Sequence, residues 1–186
     1  MTQTFVHPRA HSEYALVDGT VRIKALVQAT QSAGMPAVAI SDLNNLFGLV
    51  KFFKQAVSAG VKPIVACDVW VEDQDPSAEP SMLVLIALRQ SGYKALSRVL
   101  SKGYTENYHQ GRMVLRREWL KEDGEGLLAL SAAADGDVGK AILAGQSDEA
   151  EARARGAEVA AKVRAEAEQR EQREQQQEQE RQEQER

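Results

Sequence analysis

Twice in succession the chain runs through the same steps: a short apolar run, a polar loop, a segment with apolar residues three and four apart, and a glycine. "TFVHPR" (Thr4 to Arg9) leads into "VRIKALVQATQSAG", which stops at Gly34, and "PAVAIS" (Pro36 to Ser41) leads into "LFGLVKFFKQAVSAG", which stops at Gly60. A period of two followed by a period near 3.6 marks strands backed by helices, so the class is α/β with a mostly parallel sheet. In the first helix Thr20 is the expected N-cap, with Val21, Ala25, Leu26 and Ala29 on one face. In the second, Leu46, Leu49, Val50, Phe53 and Val57 form the apolar stripe, and Asp42 or Asn44 could cap near Leu46.

Beyond this repeat, "KPIVACDVWV" (Lys62 to Val71) and "MLVLIAL" (Met82 to Leu88) read as a third and a fourth strand, joined by the turn-rich "EDQDPSAEP". A helix from Ser91 to about Tyr104, a less regular "MVLRREWL", a strand at "GLLALSA" and a short helix around "GDVGKAILAG" follow. After Gly145 the pattern ends. Ala, Glu and Arg dominate from Ser147, and from Gln169 to Arg186 only Gln, Glu and Arg occur, which favour helix but offer no apolar face. The expected division is a globular domain over 1–146 and a solvated, helical or disordered tail over 147–186.

A formal net charge of -4 gives no global basic field for nucleic acid, although a local patch would escape that sum. A single cysteine, Cys67, cannot form an internal disulfide, and with no basic region followed by an apolar stretch and a cleavage site at the amino terminus, no secretory leader is expected. The longest apolar runs fall far short of the ~20 residues of a membrane span. A cytoplasmic protein is expected.

Polar chemistry gathers at the expected strand ends. On a strand, His7, Arg9 and His11 would share one face with Phe5; Asp18 and Asp42 follow the first and second strands, and Asp68 is embedded in the third. Active sites of α/β folds lie at such ends. Two readings stay open on the residues alone: a metal site, or acids that cap helices and hold turns, as Asp18 could with Gly19.

"FVHPRAHSEYALVDG", "MPAVAISDLNNLFGLVKFF", "GVKPIVACDVWV" and "GYKALSRVLSKGY", in this order and spacing, resemble the amino-terminal PHP domain of the alpha subunit of bacterial replicative DNA polymerase III. The resemblance runs from about Phe5 to Gly145. It implies an incomplete (β/α)7-type PHP barrel, a fold that in many family members holds metal ions at its strand ends. Set against that pattern the ligands here are damaged. Arg9 stands in a His-x-His motif, Leu43 replaces the histidine of Thr-Asp-His, Asp68 replaces a glutamate and Met82 a histidine. A guanidinium has no lone pair to donate to a metal. His11, Asp18 and Asp68 are left as a vestigial metal site, with Arg9 expected to pair with Asp18 or Asp68 in the ion's place.

The function this implies is that of an amino-terminal fragment of the replicative polymerase's alpha subunit. Its PHP domain would be a structural and docking module for the proofreading exonuclease subunit and other replicase subunits, with no cofactor, no catalytic residue and DNA contacted only through absent polymerase domains. The alternative is a metal-dependent phosphoesterase or 3'-5' exonuclease using zinc or manganese on the residual ligands. A truncated reading frame with no independent role is also compatible with the abrupt change of composition. His109 reads as a surface residue, Cys67, Trp70 and Trp119 as packing residues, and "GDVGK" as a turn into a helix, since it lacks phosphate-loop spacing.

Overall fold

A computed structural model describes residues 5–73, 78–109 and 111–155. In chain order the elements are α1 (Ile23–Ser32), β1 (Ala37–Ile40), α2 (Leu49–Ser58), β2 (Lys62–Val71), β3 (Ser81–Ala87), α3 (Gln90–Glu106), β4 (Tyr108–His109), β5 (Arg112–Met113), α4 (Arg117–Asp123), β6 (Leu127–Ser131), a 3-10 turn (Ala133–Asp135) and α5 (Asp137–Leu143). Four strands form one sheet in the order β1-β2-β3-β6, and β4 pairs with β5 in a separate ribbon. The chain divides into one unit ending at Lys140 and a second beginning at Ala141.

The strand period of two sorts the core into two faces. Val65, Cys67, Val69 and Val71 of β2 turn toward the helices: α1 and α2 cover Val38 and Ile40 of β1, while Ala95, Leu96 and Val99 of α3 cover Cys67, Val69 and Leu85. The opposite face carries Ala39, Ala66, Met82, Val84 and Ile86, and Asp68 shares that register. Close approach sets α3 against β6. A Cβ on Gly92 would stand 2.0 Å from the carbonyl oxygen of Gly126, itself in the left-handed region at φ +75.

The sheet is mixed rather than mostly parallel. β1 and β2 run parallel, but β2–β3 and β3–β6 are antiparallel. The short connection between β2 and β3 explains the first reversal, since a parallel crossover needs about a dozen residues or more. Among the described residues the sheet is open, with β1 and β6 at its edges.

The expected first strand does not form over its described residues. His7 makes an isolated bridge to Val38, and Pro8 has no N–H with which to continue the ladder. Helix starts shift as well. α1 begins at Ile23 after Arg22, not at a Thr20 cap, and buries Ile23, Val27 and Thr30, the last donating to the Leu26 carbonyl at 2.8 Å. α2 begins at Leu49 after Gly48. Asn45 holds the turn before it by accepting the Phe47 N–H at 3.0 Å, and neither Asp42 nor Asn44 caps the helix. α2 buries Leu49, Phe52 and Ala56, leaving Val50, Phe53 and Val57 of the expected stripe exposed.

In the second unit, residues 147–155 are helical with Glu149–Arg153 and Glu151–Arg155 pairs one turn apart. The rest of the expected tail, from 156 to 186, lies outside the described residues.

Candidate functional site

Residues 7–10 run beside β1: Ala39 donates to the His7 carbonyl at 2.9 Å and Ser41 to the Ala10 carbonyl at 2.8 Å. The chain then turns through a loop fastened from within the fold. The buried carboxylate of Asp42 accepts the Ser12 N–H at 2.6 Å and the Ser12 hydroxyl at 2.7 Å. Gly19 closes the loop, since a Cβ there would lie 1.7 Å from the Ser12 carbonyl oxygen. This clamp sets His11 and Asp18 on the same side of the loop.

Asp68, in the middle of β2, is fully buried. Its Oδ2 receives three donors: Arg9 Nε at 2.7 Å, Arg9 Nη2 at 2.6 Å and His11 Nε2 at 2.9 Å. The other ring nitrogen of His11 meets Asp18 Oδ2 at 2.8 Å. Arg9 Nη2 also reaches the Met82 thioether sulfur at 3.2 Å. Arg9, Asp68, His11 and Asp18 thus form a hydrogen-bonded chain that alternates in charge when the imidazole is protonated. The hydrogen bond to Asp68 is the main cause holding the His11 pKa above its ordinary value; burial opposes the rise, and the charges of Asp68 and Asp18 add to it.

The structure brings together Arg9, His11, Asp18 and Asp68, the residues expected from the sequence. His7 is not among them: it is exposed, with its ring edge-on to Phe5 at 4.6 Å between centroids. Asp42 serves the Ser12 clamp, a pairing across thirty positions that follows no local pattern, and Asp18 faces His11 instead of merely shaping a turn. Cys67 is a buried thiol without a disulfide, donating to the Asp42 carbonyl at 3.2 Å, and burial pushes its thiol pKa up, which fits a packing residue. His109 is exposed and Trp119 buried, while half-buried Trp70 has Arg112 and Lys140 over its ring at 5.2 and 5.7 Å.

The arrangement does not fit a metal ion. Asp18 and Asp68 sit on opposite nitrogens of one imidazole and cannot converge on a common point through it. An imidazole donating to both acids has no free lone pair, and Asp68 Oδ2 already takes the Arg9 fork, which leaves the buried and unpartnered Oδ1 of Asp68 as a single remaining donor oxygen, too few to hold an ion. Among the described residues no three His, Cys, Asp or Glu side chains form a group that could hold an ion. Nor is any helix among them long and apolar enough to cross a membrane.

A mixed α/β sheet with polar chemistry concentrated where β1 and β2 meet the preceding loop is the setting in which the family can be stated: the chain belongs to the PHP domain family, whose model matches residues 7–165. Its sequence is 46% identical over 155 residues to DNA polymerase III subunit alpha of Pseudomonas fluorescens, covering 83% of this chain and 13% of that protein. It is 41% identical over 143 residues to the same subunit of Escherichia coli K12, covering 77% of this chain and 12% of that one. The chain therefore spans about an eighth of the length of these curated relatives. Among solved structures, a sulfate-bound, metal-free amidohydrolase from Chromobacterium violaceum matches with a TM-score of 0.42 at 16% identity, over 53% of this chain and 32% of that one.

Proposed function

We propose that the chain acts as the PHP module of a replicative DNA polymerase III alpha subunit, with its former metal centre held by an internal ion pair and its role structural and docking. In this reading the four-stranded sheet is part of a (β/α)7-type barrel, no metal cofactor is bound, and the module works in the cytoplasm within the replicase. Its partner is the proofreading exonuclease subunit. The observation that carries the reading is the Arg9 fork on Asp68: a fixed cation stands where a metal-binding version of the site would need an open carboxylate.

In this reading the centre supplies rigidity. Arg9 and His11 tie the segment before β1 to the middle of β2, so the surface made by the opening segment is fixed relative to the sheet. The test is size-exclusion chromatography of the purified chain with the exonuclease subunit of the Pseudomonas fluorescens replicase. Co-elution as a stoichiometric complex is expected; separate elution of two folded proteins would overturn the docking role.

A further inference from the structure

α2 is apolar on two stripes. Leu49, Phe52 and Ala56 are buried against the sheet, and beside them Val50, Phe53 and Val57 repeat at the spacing of a second helical contact seam while standing 66%, 50% and 55% exposed. Val50 and Phe53 form one wall of an open groove of about 900 Å³, with Leu88 and Tyr93 on the side of β3 and α3. The origin of the groove is topological. α2 packs on β2 and α3 on β3, but those two strands are antiparallel neighbours, and among the described residues no crossover helix fills the layer between the two helices.

Charge narrows the occupant. Lys54, one turn from Val50, and Lys62, at the start of β2, line the groove, and neither forms a salt bridge among the described residues. Arg89, also at the rim, is held by Ser91 and Glu125 at 2.9 Å each. We propose that this groove is a docking site for an amphipathic helix from a partner protein, with Leu or Phe on its buried face and Glu or Asp along its flanks. Apolar anchors would enter between α2 and α3, and the flanking carboxylates would meet Lys54 and Lys62. The inference extends the docking role proposed above and rests on it for its purpose, not for its geometry.

The test uses the full 186-residue chain and two fluorescein-labelled synthetic 16-residue helices with the same leucine face, one flanked by Glu and one by Lys. The protein's net charge of -4 would by itself favour the lysine peptide, so a preference for the other must come from a local site. The glutamate peptide should bind at least tenfold tighter. A K54E/K62E double substitution should invert that order, and V50S/F53S should weaken the glutamate peptide at least tenfold without changing the circular dichroism spectrum. Equal binding of the two peptides, indifference to V50S/F53S, or a dimer in sedimentation that V50S/F53S dissolves would overturn the proposal, the last by making a second copy the occupant. Peptide binding here with no exonuclease complex would refute the named partner and leave the groove standing; the reverse would place the exonuclease on another surface.

Discussion

Both ring nitrogens of His11 face carboxylate oxygens, at 2.8 Å and 2.9 Å, a geometry that supplies two N–H donors only when the imidazole is protonated. The raised pKa has a definite consequence for stability. A group whose folded pKa lies above its unfolded one adds stability that is fully present below the unfolded value, about 6.5 for histidine, and lost as pH rises through the folded value. Denaturant midpoints measured from about pH 5.5 to about pH 8.5 should therefore fall across the upper part of that range. Asp68→Asn removes the charge that contributes most, so it should lower the His11 midpoint seen by NMR and flatten the stability profile; an unchanged midpoint would disprove the coupling. Arg9 and Asp68 were legible in the sequence because a guanidinium in a ligand position and an acid within an apolar strand each carry a chemical signature. His7 was misplaced because period-two reasoning assumed a strand that Pro8 interrupts. The Ser12–Asp42 clamp was illegible, since two short polar side chains distant in sequence leave no periodic trace.

Element by element, most strand and helix identities followed from period and punctuation, the first strand excepted, and β2 has the bounds expected, Lys62–Val71. Two further features escaped that logic. Strand direction depends on what the connection can span, so the turn-rich segment between β2 and β3 was the available sign of a hairpin. The buried stripe of α2 was mistaken because the helix is apolar on two adjacent faces, and periodicity cannot say which one meets the sheet. At α3 the limiting contact is Gly92. Alanine would gain about 1 kcal/mol of helix propensity, but its Cβ would press on the backbone oxygen of Gly126, and overpacking of this kind costs about 1–3 kcal/mol. Because backbone must move, Gly92→Ala is expected to be net destabilising. Urea denaturation should show a lower midpoint with the slope preserved, and a midpoint equal to or above that of the parent would contradict the close packing of α3 on β6.

For the molecule as a whole, the sheet's two edges differ. β1 is partly covered by the segment around His7 and Ala10, whereas β6 pairs with β3 on one side, and Leu128, Ala129 and Ser131 are exposed. An edge strand of this kind exchanges more readily and invites association. Amide hydrogen exchange should be slowest in β2 and β3 and clearly faster in β6; equal protection of all three would mean that the edge is closed. The central claim, that Arg9 and His11 hold the Asp68 oxygen facing the site in place of a metal, is tested most directly by calorimetric titration of the purified chain with zinc and with manganese. No stoichiometric binding is predicted, and the same result is predicted for Arg9→His, because Leu43 and Met82 still offer no histidine donor. One tightly bound ion per chain, with His11 shifted in the NMR spectrum, would show that the ion pair yields to metal and would favour a metal-dependent phosphoesterase instead.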